Sequence, residues 1–342
     1  MKDIRQLYPE ELEQEMLLLQ EKPFRAKQIF SWLHEKKAAD FSEMTNLSAA
    51  LRQKLSENYS IPKLQIEEVQ TSAIDGTRKY LFSLGDGNYI ESVLMRYRYG
   101  NSVCVSTQVG CRMGCRFCAS TVEGMVRNLT ASEILGEVYG IEKDIGERVS
   151  HCVLMGSGEP MDNYDEAVRF IRLLGSEAGH NMSFRNITVS TCGIPEGIRR
   201  FSKENLPVTL ALSLHAPDDE TRKKLMPIAE RYPLSEVLAA CDEYFRKTGR
   251  RVSYEYSVVR DVNDNEEEAE KLSRLLYGKN AHVNLIPVNP VTERAFRRPD
   301  RKKLEAFQKT LVKNGINATI RRELGTDIDG ACGQLRRKYI GN

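Results

Sequence analysis

Hydrophobic and polar positions change rhythm twice along this chain, and each change predicts a different architecture. Up to about residue 60, apolar residues recur at helical spacing. Pro9, Glu10 and Glu11 open a first helix, because proline suits a first turn and carboxylates suit the positive end of the helix dipole. Leu12, Met16 and Leu19 then fall on one face. Ile29, Phe30 and Leu33, beside Trp32, mark a second helix that starts near Arg25, and Leu47, Leu51 and Leu55 mark a third. So small a helical unit cannot bury much core by itself and is expected to lean on the rest of the chain. From about 64 to 98 the pattern turns to strand-like alternation in KLQIEEVQTS, TRKYLFSL and NYIESVLM, broken by turn signals at Asp75-Gly76 and Gly85-Asp86-Gly87.

Beyond residue 100 the chain alternates strands with helices. Strands are predicted at Val103 to Val105, Val149 to Met155, Ile187 to Ser190, Val208 to Leu214, Val252 to Val258 and His282 to Ile286. Helices are predicted near 131 to 139, 163 to 174, 195 to 202, 218 to 245, 266 to 276 and 301 to 313. Six strand-then-helix units in series argue for an α/β fold with a parallel sheet, which right-handed crossovers curl into a full or partial barrel. The expected divisions are a helical N-terminal domain over residues 1–62, a β-hairpin linker over 63–98, the barrel core over 99–330 and a C-terminal segment over 331–342.

Composition narrows the class without naming a function. Of 342 residues 41% are hydrophobic and 29% charged, an ordinary globular profile that excludes collagen-like and disordered chains. The 50 basic and 48 acidic side chains leave a net charge of +2, which forces no partner. No apolar run approaches the roughly 20 residues that cross a bilayer, and the first residues lack the apolar stretch of a signal peptide. A cytoplasmic location with no membrane partner is therefore expected. In a reducing cytosol the eight cysteines are not expected to form a permanent disulfide framework, so clustered ones read as metal ligands or reactive thiols.

Cys111, Cys115 and Cys118 do cluster, at C-x3-C-x2-C spacing directly after the first barrel strand. A structural zinc site would want a fourth ligand, and no cysteine or histidine lies at finger-like spacing nearby. An electron-transfer [4Fe-4S] cluster also normally takes four thiolates, whereas three leave one iron open, which suits catalysis. The other conspicuous residues follow strands as well. Gly156-Ser157-Gly158-Glu159-Pro160 supplies glycines that let a ligand approach backbone and a carboxylate that can accept from an amine. Ser190, then Ser213-Leu214-His215, then Asn289 stand at three further strand ends. In a parallel barrel the carboxyl ends of the strands form the active-site rim, so these residues should converge on one mouth. Taken singly, Ser190 or Asn289 reads as a cap or turn residue, and it is the repetition at equivalent positions that points to function.

The segments VCVSTQVGCRMGCRFCAS, MGSGEP, SLHAP, VNLIPVNP and DIDGACGQL resemble the RlmN/Cfr family of radical S-adenosylmethionine (SAM) RNA methyltransferases. The similarity runs over essentially the whole chain, including FRAKQIFSWLHEK near the start. Pro160 after Glu159 resembles the branch that methylates carbon 2 of adenine; the Cfr type usually has alanine there and modifies carbon 8. The resemblance implies a partial (β/α)6 TIM-like barrel, the radical SAM core. It implies a [4Fe-4S] cluster on Cys111, Cys115 and Cys118 and two SAM molecules per turnover. Glu159, Pro160, Ser190, Ser213, Leu214, His215 and Asn289 would lie along the bound SAM.

Carbon 2 of adenine is electron-poor, so transfer of an electrophilic methyl group cannot reach it and a radical route can. In the family, the cysteine matching Cys332 first takes a methyl group from one SAM. A radical made from a second SAM removes hydrogen from that methyl, and the resulting carbon radical adds to adenine. Glu91 matches the base that then removes the carbon 2 proton. Cys104 matches the thiol that attacks Cys332, forming a transient disulfide and releasing 2-methyladenosine. Without the resemblance, Cys104 reads as a small buried hydrophobe and Glu91 as a solvent-facing strand residue. Cys152 and Cys241 read as core, and Cys192 stays ambiguous; none of the three receives a role.

Basic residues from Arg294 to Lys303, at Arg321 and Arg322, and at Arg336, Arg337 and Lys338 lie beside the Cys332 loop in sequence. Such runs are often solvated surface, and they also suit a phosphate backbone. The resemblance implies 23S rRNA and tRNA as substrates, the latter at the adenosine 3' of the anticodon. It also implies a one-electron donor such as flavodoxin or ferredoxin, and a monomer. Two other readings stay open: a Cfr-type carbon 8 enzyme, and a non-catalytic iron-sulfur or zinc RNA-binding factor, which would not require Glu91, Cys104 and Cys332.

Overall fold

The computed structural model describes residues 1–289, 296–328, 335, 336 and 339; Cys332, Arg294, Arg337 and Lys338 lie outside the described residues. The chain starts with Lys2–Asp3 (β1), which pairs in parallel with Tyr59–Ser60 (β2) around the helices Pro9–Leu18 (α1), Phe24–His34 (α2) and Ala49–Asn58 (α3). Three antiparallel strands follow, Gln65–Thr71 (β3), Arg78–Ser83 (β4) and Tyr89–Tyr97 (β5). Gly100–Cys104 (β6) then pairs antiparallel with β5 on one side and parallel with Val149–Leu154 (β9) on the other. Between them lie a short hairpin of Gln108–Gly110 (β7) with Met125–Asn128 (β8) and the helix Ala131–Ile145 (α4).

The remaining units run Tyr164–Leu174 (α5), Ile187–Thr191 (β10), Pro195–Phe201 (α6), Thr209–Ser213 (β11), Asp219–Leu225 (α7), Leu234–Thr248 (α8), Val252–Val258 (β12), Glu266–Leu276 (α9), Ala281–Pro287 (β13), Arg301–Lys313 (α10) and Asn317–Ile320 (β14). They complete one sheet in the order β14-β13-β12-β11-β10-β9-β6-β5-β4-β3, whose first seven members are mutually parallel. This is the expected partial α/β barrel, with two differences. A seventh parallel strand, β14, closes the C-terminal edge after the six predicted units. The helix expected over 218–245 is two helices, because Pro227 and Pro233 fall inside it and proline can neither donate its backbone hydrogen nor fit the preceding turn.

Strand β12 shows how the sheet divides its faces. Val252, Tyr254 and Tyr256 enter the core under the outer helices, while Ser253, Glu255 and Ser257 alternate to the inner side. At this strand the sheet is therefore apolar on its outer face and polar on its inner face. The N-terminal helices do lean on this frame: Leu12, Met16, Phe30 and Leu33 belong to the same contiguous core as Ile134, Leu135 and Phe170. Arg169 Nη1 reaches Glu11 Oε2 at 2.7 Å, and Lys37 pairs with Glu142 at 2.7 Å. No helix among the described residues is long and apolar enough to cross a membrane.

One residue in this seam makes the fold sensitive to acid. His34 is fully buried, its Nδ1 lies 3.0 Å from the Tyr139 hydroxyl, and burial, aided by Arg5, lowers its pKa from 6.5 to about 3. In the unfolded chain it would take a proton near 6.5, so its contribution to stability is complete above that pH and drains away as the pH falls toward 3. The full loss is of the order of a few kcal/mol. Unfolding midpoints measured from about pH 7.5 down to about pH 4.5 should fall steadily, and less steeply for His34→Leu.

Candidate active site

The seven parallel strands all point their carboxyl ends at one mouth, and the loops after them build two adjoining cavities there. The first, of about 210 Å3, is bordered by Cys111, Cys115, Cys118, Glu159, Ser190, Ser213, His215 and Glu255. The second, of about 480 Å3, is bordered by Cys104, Cys118, Asn289, Arg298, Arg321 and Arg322. Phe117, Cys118, Met155 and Gly156 border both, so the cysteine loop forms the wall between them. The residues singled out from sequence thus come together, apart from three among those described, of which Glu91 lies on β5 beyond both linings. Pro160 and Leu214 are buried outside both linings, and Leu214 packs in the main core, so any contact they make to a ligand there would run through backbone.

The cysteine loop is held from below by the end of β9. An ideal Cβ on Gly156 would come within 2.6 Å of the Val105 carbonyl oxygen, and one on Gly158, whose φ is +109°, within 2.7 Å of Gln108 N. The sequence suggests that these glycines make room for a ligand. Both do border the cavity, but their first requirement is the close approach of the chain's own backbone. That approach lets Ser157 O accept from Thr107 N at 2.8 Å and Gln108 N at 3.1 Å, which fixes the chain just before the loop.

Glu159 is buried, and its two oxygens accept from Met161 N at 2.9 Å and Cys192 N at 2.7 Å, tying the end of β9 to the end of β10. Burial raises its pKa, while those two bonds favour the carboxylate. His215 takes a left-handed conformation at φ +57°. Its Nδ1 accepts from Ser257 N at 2.8 Å, which leaves Nε2 as the protonated nitrogen of a neutral ring. Burial lowers its pKa to about 3, so at neutral pH it carries no charge and offers Nε2–H as a donor. The ring meets Phe117 edge-on with centroids 4.7 Å apart, so it also braces the cysteine loop.

Burial, aided by the neighbouring Cys118, pushes Cys111 up to about 12 and Cys115 well above its usual value. Among the described residues no three cysteine, histidine or acidic side chains converge as ligands of one ion. A zinc site would need such convergence; a cuboidal cluster instead gives each thiolate its own iron.

On the other side of the mouth, Cys104 faces Val93 across β6 and β5, and Glu91 lies two residues along β5 on the same side of the sheet. Glu91 is buried, which corrects its bland reading as a solvent-facing residue. Lys79 Nζ, itself 0% exposed, sits 3.0 Å from Glu91 Oε2, and the Arg336 backbone donates to Oε1. Sequence reasoning passed over Lys79, Glu255 and Arg222. Alternation could have found the first two, since Lys79 falls in step with Leu81, and Glu255 in step with Ser253 and Ser257. Arg222 gives no such signal, because Arg222-Lys223-Lys224 reads as the solvated end of a helix.

Residues 2–61 match the family model for a ribosomal RNA large subunit methyltransferase N-terminal domain, and residues 105–273 match the radical SAM superfamily. A probable dual-specificity RNA methyltransferase RlmN of Lachnoclostridium phytofermentans is 58% identical over 337 residues, covering 98% of this chain and 95% of that protein. The chain belongs to the RlmN family. Another probable RlmN, from Clostridium novyi, is 51% identical over 342 residues and covers 100% of both chains. The crystal structure of a radical SAM methyltransferase from Sphaerobacter thermophilus superposes with a TM-score of 0.93 at 41% identity, covering 98% of this chain and 99% of that one. As an RlmN-family protein this is a radical SAM RNA methyltransferase, with a [4Fe-4S] cluster and SAM as cofactors. The three soft thiols on one wall, with no fourth at ligand spacing in their loop, fit that cluster.

Proposed function

We propose that the protein methylates carbon 2 of adenosine in 23S rRNA and in tRNA, passing the methyl group through Cys332. The observation that carries this reading is the shared cavity: Cys104 and Cys118 border the same space, so a resolving thiol and the cysteine loop face one substrate. Arg298, Arg321 and Arg322 on its rim suit RNA phosphates, and a cavity of about 480 Å3 has room for a base that has left its stack.

Cys111, Cys115 and Cys118 would hold the cluster. Bound there with SAM, and given one electron by a donor of the flavodoxin or ferredoxin class, the cluster supplies the radical chemistry of the family. Glu159, Ser190, Ser213, His215 and Asn289 would orient SAM, with His215 Nε2 as a donor. Cys332 would carry the methyl group and the covalent bond to RNA; Glu91 would take the carbon 2 proton as the radical adduct gives up one electron to an oxidised carrier of the same one-electron class, which restores the aromatic ring. The Cys104 thiolate would then attack Cys332 sulfur; a disulfide forms, the carbon–sulfur bond breaks, and the RNA carbon takes a proton to become methyl. Cellular thiols reduce the disulfide for the next round. Lys79 Nζ, 3.0 Å from Glu91 Oε2, would position that carboxylate.

Mass spectrometry of the C-terminal peptide from cluster-loaded protein tests this. A methyl group on Cys332 is expected, and none in Cys111→Ala. An unmodified Cys332 in protein that methylates RNA would overturn the proposal.

A further inference from the structure

Arg222 is a fully buried cation whose neighbours are wrong for a purely structural role. Its residue exposure is 0%, and its guanidinium donates to three backbone carbonyls: Nε to Leu214 O at 3.2 Å, and Nη2 to Cys192 O at 2.5 Å and to Ser213 O at 3.3 Å. Nη1 is buried without a hydrogen-bond partner. Carbonyl dipoles solvate part of the charge but do not cancel it, and an uncompensated buried ion costs several kcal/mol. The ionisable groups that act on it most are the Cys192 and Cys115 thiols, ahead of Asp219, and burial pushes both thiols well above their usual range. Cys115 is one of the three cysteines of the loop, and both thiols border the first cavity. Among the described residues no carboxylate pairs with this guanidinium.

We infer that Arg222 is a positioning residue that acts as the buried counter-charge of the iron-sulfur cluster, helping to hold it and setting how readily it accepts an electron. The inference rests on the reading that Cys111, Cys115 and Cys118 carry the cluster. A four-iron cluster on three thiolates is net negative and gains one further negative charge on reduction. A fixed cation in a medium of low polarity favours that more negative state. Arg222 also has a structural task, since its carbonyl contacts clamp the ends of β10 and β11 together. The test must therefore separate charge from clamp.

The full-length protein is reconstituted anaerobically as Arg222→Gln, which keeps donors but loses the charge, and as Arg222→Lys, which keeps the charge. Iron content and the midpoint potential of the one-electron couple are read by redox titration followed by electron paramagnetic resonance. For a loaded R222Q, the reduction equilibrium should fall at least about tenfold, roughly 59 mV for one electron, with R222K within about threefold of the parent. An R222Q that cannot hold iron beside an R222K that does supports the same requirement for charge. A loaded R222Q within about threefold of the parent, equal shifts in both variants, or loss of iron from both would overturn the inference and leave Arg222 as a clamp. A parent protein that takes up no iron would instead overturn the cluster reading itself.

Discussion

Cys104→Ala should trap RNA on the protein. If Cys104 is the thiol that attacks Cys332, its loss spares every step up to the covalent adduct and blocks the one that releases product. Denaturing electrophoresis of the reaction should show protein and RNA migrating together, with no more than a single turnover and the link mapping to Cys332. The substitution is mild for the fold. Cys104 packs among Val93, Met95 and Met155 as a small buried side chain, and replacing it with alanine removes one atom from that cluster. Normal multiple turnover would remove Cys104 from the mechanism. Failure to form any adduct, in protein whose Cys332 is methylated, would show that Cys104 acts earlier.

Glu91→Gln should stall the reaction one step sooner. A general base contributes roughly 100- to 10,000-fold, so turnover should fall by that order. With deuterium at carbon 2 of the target adenine, the adduct formed by the variant should retain the label. Loss of deuterium at the parental rate would assign the base elsewhere. The Lys79–Glu91 pair complicates the comparison, because both side chains are almost wholly buried. Neutralising one partner of a buried pair costs about 3–5 kcal/mol when the other charge is left uncompensated. The double variant Lys79→Met, Glu91→Gln removes both charges together, and it should recover much of the stability without recovering turnover. Recovery of turnover would mean that Glu91 has only a structural task.

The parts of the molecule legible in the sequence are those written as local rhythm. Six parallel strands announced themselves as apolar runs between amphipathic helices, and the residues just after them were found because barrel geometry sends all strand ends to one side. β14 escaped because Asn317–Ile320 is four residues long and only Ala318 is buried, too short a run to alternate visibly. The break inside 218–245 was marked by Pro227 and Pro233 but was overridden by the helical spacing on either side. The functional residues that stayed hidden depend on partners far away in sequence. Lys79 matters because its side chain reaches Glu91 diagonally from the neighbouring strand β4. Arg222 matters because its guanidinium is drawn in to the carbonyls at the ends of β10 and β11, while Lys223 and Lys224 beside it are exposed. Gly156 and Gly158 were legible as special positions, yet the reason was a crossing of backbone that no local pattern contains.

The central claim is that this fold delivers a methyl group to carbon 2 of adenine by way of its own thiols. Nucleosides from RNA treated with the cluster-loaded protein, SAM and a one-electron donor can be compared by chromatography and mass spectrometry with authentic 2-methyladenosine and 8-methyladenosine. The account predicts 2-methyladenosine, formed by the parent and absent with Cys111→Ala or Cys332→Ala. The appearance of 8-methyladenosine instead, or of a methylated base that forms without Cys332, would contradict it.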